Sequence, residues 1–237
     1  MTIKQELIKY AKQCIDDKII SCTKHKWACM RFLRDIEKLK SDKNFPFKWD
    51  ESEAKKIADW FALLRHSKGV LSGHPIILTT AQKFSLCQIY GWRRKSDGLR
   101  RFSKSFKEVA RKNAKSQEEA GVILYEMSYG SVKSKEIYEC YCAGTKRDQS
   151  KIIFNECKNL LKGSPLSIKF KCSKQLIEHI KTGSFLKALS KEDGQKGDGT
   201  NPAVLVLDEY HQHATTEFYD LGIGSNTKEP LLMIITT

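Results

Sequence analysis

The segment over residues 106–121, FKEVARKNAKSQEEAG, combines residue types that bind phosphate. A short apolar strand and a polar turn precede the pair Lys115-Ser116, which opens a predicted helix. In a phosphate-binding loop, G-x-x-x-x-G-K-[ST], backbone N–H groups at the helix start hold phosphate oxygens, the lysine reaches the terminal phosphates and the hydroxyl binds Mg²⁺. Val109 and Ala114 replace both glycines of this pattern, so an ordinary helix start explains the segment better when it is taken alone.

Two carboxylates at the end of an apolar run supply a second element. Asp208 and Glu209 directly follow AVLVL, which is typical of a buried parallel strand that carries acids to the carboxyl edge of a sheet. We expect Asp208 to hold Mg²⁺, directly or through water, and Glu209 to polarise the attacking water. A helix N-cap is the simpler explanation for an acidic pair alone. Together, however, the two motifs are far less expected by chance and indicate a nucleotide-hydrolysing site.

The elements that must position these motifs change character near residue 72. Before it, apolar residues recur at helical steps over residues 3–40 and again from residue 52, which predicts an N-terminal helical, lid-type subdomain over residues 1–72. After it, strands alternate with helices, which predicts an α/β P-loop ATPase core over residues 73–237 with a mostly parallel central sheet flanked by helices. The predicted strands cover residues 106–109, 136–142, 166–172, 176–180, 185–189, 203–207 and 231–235, and the predicted helices cover residues 115–127 and 147–161.

Two local predictions complete this assignment. A hairpin turn is predicted at Lys181-Thr182-Gly183, between two of the strands. The strands that carry the phosphate loop and the acidic pair are expected to be adjacent, so that both motifs face one triphosphate site. The glycine-rich stretch over residues 192–201 is expected to be a loop.

Positive charge is concentrated beside the phosphate loop. The chain has a formal charge of +14, and residues 93–115 hold ten basic side chains against two acidic ones. Such a block favours a polyanionic partner, although a solvated basic face is the simpler explanation without other signals.

Composition excludes several other classes. No apolar run is long enough for a transmembrane helix, and the first residues lack the apolar stretch of a signal peptide, so we expect a soluble, intracellular protein. Eight cysteines form no C-x-x-C pair and lie mostly in apolar periodic segments, which favours reduced, buried thiols over zinc sites or disulfides.

With both motifs identified, the sequence resembles the N-terminal ATPase domain of the large terminase subunit of tailed bacteriophages, whose phosphate loop typically reads ARKNGKS. The corresponding string here is ARKNAKS, at residues 110–116. Four further segments match in order, and so does the helical leader around residues 22–31. These segments are QKF at residues 82–84 followed by IYGWR at 89–93, DGTNP at 198–202, LDEYH at 207–211 and IITT at 234–237.

The resemblance implies a role for each matching residue. Lys115 contacts the β- and γ-phosphates, Ser116 and Asp208 bind the metal, Glu209 is the catalytic glutamate, and Arg111 reports on the γ-phosphate. Gln82 hydrogen-bonds adenine, and Thr236 and Thr237 couple hydrolysis to movement. The rest of the nucleotide loop comprises Ala110, Lys112, Asn113 and Ala114. The residues that would bind DNA are Arg93, Arg94, Arg100 and Arg101.

The resemblance also implies partners and a location. A terminase drives double-stranded DNA into a procapsid in the host cytoplasm, using ATP and Mg²⁺, as a homo-oligomeric ring with a portal protein and a small subunit. We expect the isolated chain to be monomeric. A neighbouring subunit often supplies an arginine finger, and Arg100, Arg101, Arg147 and Lys196 are weak candidates. The chain ends in the apolar strand LLMIITT, so we expect a piece of a longer polypeptide that lacks its nuclease domain.

Two alternatives stay open at this stage. One is another nucleic-acid-dependent P-loop ATPase, such as a helicase-like protein. The other is a basic nucleic-acid-binding module whose degenerate loop hydrolyses nothing, which Val109 and Ala114 favour.

Overall fold

The structure is a computed structural model that describes residues 1–144, 147–189 and 200–237. Most of the predicted loop over residues 192–201, the finger candidate Lys196 and the side chain of Arg147 lie outside the described part. The chain divides into two compact units, a helical unit (Met1–Trp60 with Ile77–Phe102) and a sheet unit (Phe61–Ile76 with Ser103–Thr237). These units do not coincide with the division predicted at residue 72, because the chain crosses between them three times. The lid role stays a prediction.

The helical unit contains four helices and a small sheet of two antiparallel strands. Its elements are α1 (Ile3–Ile15), α2 (Thr23–Ser41), β1 (Phe47–Trp49), α3 (Glu51–Trp60), α4 (Thr80–Gly91) and β2 (Trp92–Arg94). The helix predicted over residues 3–40 is therefore two helices, and Asp17, with a φ of 58°, lies in the connection. Asp50 caps α3 by accepting a hydrogen bond from the Glu53 N–H at 3.0 Å.

Aromatic side chains fill the core of the helical unit. Trp92 packs at right angles to Trp49, with 5.4 Å between ring centroids, and Phe32 lies 5.5 Å from Trp49 and 5.6 Å from Phe84. Trp27, by contrast, is 62 % exposed, although tryptophans of this unit are expected in the core. It therefore contributes little to this packing.

Among the described residues, the sheet unit is built on seven strands in the order β3-β9-β8-β4-β7-β6-β5. The first five are parallel, and β6 and β5 are added antiparallel at one edge. The strands are β3 (Lys104–Glu108), β4 (Glu139–Ala143), β5 (Phe170–Cys172), β6 (Ile177–His179), β7 (Phe185–Leu189), β8 (Pro202–Leu207) and β9 (Leu231–Thr236). This confirms the predicted α/β class with a mostly parallel sheet, and the predicted hairpin turn joins β6 to β7 with Gly183 at a φ of 72°.

Helices flank this sheet. They are α5 (Lys115–Tyr125), α6 (Ser131–Ser134), α7 (Arg147–Leu161) and α8 (Glu217–Ile223), with a π-helical turn at Glu126–Gly130 between α5 and α6. Phe218 of α8 packs with Leu205 of β8 and Leu232 of β9. The thiol of Cys142 on β4 instead faces α7, donating to the Ser150 carbonyl at 3.0 Å. Side chains therefore alternate between two covered faces, as they must in a buried parallel sheet.

One predicted neighbour relation is wrong. The strand of the phosphate loop, β3, and the strand of the acidic pair, β8, are not adjacent, because β9 pairs with both of them. The two motifs still end at the same edge of the sheet, and the end of the intervening strand lies between them.

All eight cysteines are free thiols, of which six are buried and two, Cys22 and Cys172, are exposed. None of the helices among the described residues is long and apolar enough to cross a bilayer.

Candidate active site

The phosphate-loop segment connects β3 to α5 through a tight turn. The Val109 N–H donates to the Thr236 carbonyl at 3.2 Å, which extends the pairing of β3 with β9 into the loop. The Asn113 amide donates to the Ala110 carbonyl at 3.0 Å and braces the turn from inside. Lys112 and Ala114 have φ values of 68° and 56°, the left-handed conformation that favours glycine. Such turns before a helix bring backbone N–H groups together and form an anion-binding concavity.

Lys115 is the centre of the site. Its side chain is 8 % exposed, although it is the first residue of α5. Its Nζ donates to the carbonyls of Val109 and Thr236, both at 3.1 Å, and lies 3.9 Å from Oε1 of Glu209. A single ammonium group therefore contacts the loop, the end of β9 and the acidic pair.

The acidic pair lies at the carboxyl end of β8, as predicted. The Asp208 N–H donates to the Ala143 carbonyl at 3.0 Å, and Oδ1 of Asp208 accepts from the Glu209 N–H at 2.9 Å. The pKa of Asp208 is raised, mainly by burial and further by the charge of Glu209. The hydrogen bond from the Glu209 N–H and the charge of Lys115 lower the pKa and offset part of this rise. Glu209 has a φ of 47°, which turns the chain sharply after Asp208.

The two terminal threonines join these parts. The Thr237 hydroxyl donates to Oε2 of Glu209 at 2.6 Å, and the Thr236 carbonyl accepts from Lys115. His211 lies beside them, with Nδ1 within hydrogen-bond distance of the Thr236 hydroxyl and 3.5 Å from Oε2 of Glu209. The structure thus brings together five predicted site residues: Lys115, Asp208, Glu209, Thr236 and Thr237.

Two other predicted residues of the phosphate loop have no comparable contacts with this cluster among the described interactions. Arg111 is exposed in the loop, and Ser116 is half-buried at the start of α5. Gln82 lies in the helical unit, where its side-chain oxygen accepts from the Thr79 N–H at 3.0 Å in a capping box at the start of α4. The adenine contact of Gln82 therefore stays a prediction.

The four arginines assigned to DNA lie in the helical unit, and two of them, Arg93 and Arg100, are buried. Arg93 is bound to Glu53 at 2.8 Å with 3 % of its side chain exposed, and Arg101 is bound to Asp35 at 2.8 Å with 14 % exposed. Arg100 is buried over the ring of Tyr90. Only Arg94, which pairs with Asp97, keeps about half of its side chain exposed, at 45 %. Burial removes Arg93 and Arg100 from the reach of a DNA backbone, and the ion pair with Asp35 holds the half-buried Arg101.

Sequence reasoning missed a buried acidic pair on α5 behind the loop. Glu118 is bound to Lys107 of β3 at 2.6 Å, and Glu119 is 1 % exposed with its Oε2 atom unpartnered among the described residues. Burial is the main cause that raises the pKa of Glu119 to about 8, with Glu118 and Asp208 raising it further and Lys107 opposing them. The signal in the sequence is their position in the first turns of a helix whose next residues, AGVIL, are apolar on every side.

Comparison with known sequences identifies the family of this chain. A profile described as terminase large subunit, ATPase domain, matches residues 80–237, more than half of the chain. The chain belongs to this family. This terminase ATPase domain is therefore an ATP hydrolase, and the resemblance found in ARKNAKS and the acidic strand is confirmed.

The solved structure of one large terminase supports the fold of this domain. The large terminase of bacteriophage HK97 superposes with a TM-score of 0.62 at 21 % identity, covering 78 % of this chain and 37 % of that one. The large terminase ATPase domain of Thermus phage P74-26 gives a TM-score of 0.42 at 14 % identity, over 65 % and 68 % of the two chains. Protein YmfN of Escherichia coli K12 is 40 % identical over 52 residues, which are 21 % of this chain and 11 % of YmfN. The chain thus spans little more than a third of the HK97 terminase.

The left-handed conformation of Ala114 leads to a prediction about the terminase loop. A Cβ in this region costs about 1 to 2 kcal/mol, so the alanine favours competing loop conformations over the one that holds phosphate. We expect Ala114→Gly to tighten ATP binding by about 5- to 30-fold, measured by titration with a fluorescent ATP analogue alongside the parent chain. Equal dissociation constants for the two proteins would show that nucleotide binding does not depend on this conformation.

The buried carboxyl of Glu119 leads to a pH prediction. Its pKa rises from 4.5 to about 8 on folding, so the folded state holds a proton that the unfolded state loses, and stability falls as pH rises between these values. Replacing Glu119 by Gln removes this loss. We expect the advantage of Glu119→Gln over the parent, as free energy of unfolding in urea, to grow by about 2 to 5 kcal/mol from pH 5 to pH 8.

A matched control for this prediction is Glu217→Gln, at the exposed start of α8. Its difference from the parent should stay constant over the same pH range. The assignment of a buried, protonated carboxyl fails if Glu119→Gln tracks the parent at every pH.

Proposed function

We propose that this terminase domain is a DNA-packaging motor, coupling Mg-ATP hydrolysis to the translocation of double-stranded DNA into a procapsid. The observation that carries the proposal is the position of β9. It lies between the strands of the phosphate loop and the acidic pair, and its end contacts Lys115 through Thr236 and Glu209 through Thr237. A motor needs such a segment, because a change at the phosphates must be transmitted to a mobile part of the protein.

The residues present suit Mg²⁺ with ATP as the substrate. Ser116 supplies a hydroxyl at the start of α5 and Asp208 a carboxylate at the end of β8, and Mg²⁺ prefers oxygen ligands of this kind. Burial disfavours the charged form of Asp208, and a bound cation favours it again. Mg²⁺ supplies charge neutralisation at the β- and γ-phosphates when it is bound.

Each residue of the proposed site has a separate role in hydrolysis. Lys115 transfers its hydrogen bonds from the carbonyls of Val109 and Thr236 to the β- and γ-phosphates. Glu209 orients the attacking water and accepts its proton, and the Thr237 hydroxyl holds the carboxylate at 2.6 Å. Arg111, exposed in the same loop, reaches the γ-phosphate. When Lys115 leaves the Thr236 carbonyl, the end of β9 loses a restraint, and this release is the coupling step.

The proposal also includes contacts with DNA and with other proteins. Arg94 offers DNA a phosphate contact without sequence preference, and the portal protein, the small subunit and a ring of identical chains complete the machine. In this ring a neighbouring subunit supplies an arginine finger that raises turnover.

Turnover assays on the chain test the proposal. We expect long double-stranded DNA to stimulate ATP hydrolysis at about 50 mM salt and to lose this effect near 200 mM, because phosphate contacts are screened. We also expect turnover per chain to rise with protein concentration, because the finger acts between subunits. Brisk hydrolysis by a dilute monomer, indifferent to DNA at low salt, would contradict coupling and the ring.

A further inference from the structure

A cluster of soft ligand atoms lies between the first two helices of the helical unit, and none of its members is a residue proposed to act on ATP. One ligand atom each of Cys14, His25 and Cys29 lies within 4.8 Å of the other two. Cys14 is in the last turn of α1, whereas His25 and Cys29 lie one turn apart on α2 and so share a face. Both helices contribute to the cluster.

The surroundings of the cluster hold its members in place. Both thiols are fully buried, so neither points into solvent. The Tyr10 hydroxyl lies 3.0 Å from Nε2 of His25, and the imidazole packs edge-on against the rings of Tyr10 and Phe84, with centroids 5.8 and 5.5 Å away. An oriented imidazole beside two buried thiols is a preorganised donor set, and its orienting hydrogen bond comes from outside the set.

The chemistry of these donors selects the ligand. Two cysteine sulfurs and one histidine nitrogen are a ligand set that Zn²⁺ takes in proteins, whereas Mg²⁺ and Ca²⁺ prefer oxygen. Tetrahedral coordination, with bonds of about 2.3 Å to sulfur and about 2.0 Å to nitrogen, places the ligand atoms about 3.5 to 3.8 Å apart. The ligand atoms of the cluster lie within 4.8 Å of one another, so side-chain movements of about 1 Å bring them to the spacing that a bound Zn²⁺ requires.

We propose that Cys14, His25 and Cys29 supply three of the four ligands of a Zn²⁺ site that fastens α1 to α2, with a water molecule in the fourth tetrahedral position. Tyr10 is a positioning residue that orients the imidazole of His25. None of the three ligands is among the residues assigned to ATP binding or hydrolysis.

Metal content of the full chain tests the proposal directly. The chain is stripped with a chelator under reducing conditions, reloaded with Zn²⁺, passed through a desalting column and assayed by elemental analysis. We expect about one Zn²⁺ per chain, and at least about a 100-fold loss of affinity in Cys29→Ser and in His25→Gln. Cys87→Ser is the matched control, since Cys87 is equally buried in the same unit but lies outside the cluster, and it should keep the metal.

A spectroscopic readout covers variants that fail to fold. Co²⁺ added to the stripped parent chain should give the near-ultraviolet charge-transfer absorption of a thiolate–cobalt bond, and one equivalent of Zn²⁺ should remove it. Zn²⁺ should also raise the unfolding temperature of the parent and of Cys87→Ser but not that of Cys29→Ser. The proposal is overturned if the parent shows no thiolate band, or if Cys29→Ser and His25→Gln bind the metal as tightly as the parent.

Discussion

Replacement of Glu209 by Gln is expected to lower ATP turnover by about 10² to 10⁴-fold while leaving ATP binding within about twofold of the parent. Glutamine keeps the length of the side chain, and its amide oxygen still accepts the hydrogen bond from the Thr237 hydroxyl. What is lost is the carboxylate that, in the proposed mechanism, takes a proton from water. Because the proposal assigns the ground-state contacts with the phosphates to the loop and Lys115, the loss is expected in the chemical step.

The measurement pairs steady-state phosphate release with a binding titration using a fluorescent ATP analogue. Glu217→Gln is a matched control, because it makes the same chemical change at an exposed position on α8. It should leave both readouts unchanged. If Glu209→Gln abolishes binding together with turnover, Glu209 supports the fold of the site rather than the chemistry.

Replacement of Lys115 by Met is expected to have a comparably large effect, this time on binding. Loss of charge-assisted hydrogen bonds to phosphate, each worth about 1.5 to 3 kcal/mol, predicts at least about a 100-fold weaker affinity for ATP. The methionine keeps the apolar stem but leaves the carbonyls of Val109 and Thr236 without their donor. We therefore also expect the free energy of unfolding to fall by about 2 kcal/mol.

Lys151→Met, on the exposed surface of α7, makes the same change away from the site and should alter neither quantity. The affinity of Lys115→Met is measured by the same titration, and its stability by urea unfolding. Unchanged affinity in a folded Lys115→Met protein would remove Lys115 from the phosphate site.

The sequence was sufficient to predict the parts of the site that depend on local chemistry. A continuous apolar run followed by two acids indicates a buried strand, and β8 followed by Asp208 and Glu209 has that form. The turn before Lys115 is likewise predicted from loop composition, and Ala114 adopts the positive φ that the glycine pattern implies. In each case the signal lies within a few residues, where steric and hydrogen-bonding preferences act directly.

Strand order and side-chain burial could not be predicted in this way. That β9 lies between β3 and β8 depends on which strands pair across more than a hundred residues of chain, and no local pattern encodes it. Arg93 lies in a basic stretch of the sequence, where a side chain is expected to be exposed. It is buried instead, because it forms an ion pair with Glu53, 40 residues earlier in the chain. The exposed position of Trp27 is a further case in which tertiary packing overrides a residue's usual preference.

A crystal structure of this domain with Mg²⁺ and a non-hydrolysable ATP analogue tests the central claim most directly. The proposed site predicts the triphosphate between the loop and the acidic pair, with Nζ of Lys115 moved from the Thr236 carbonyl to the β- and γ-phosphates and the metal beside Asp208. A triphosphate bound elsewhere, with Lys115 still on the carbonyls of Val109 and Thr236, would contradict it.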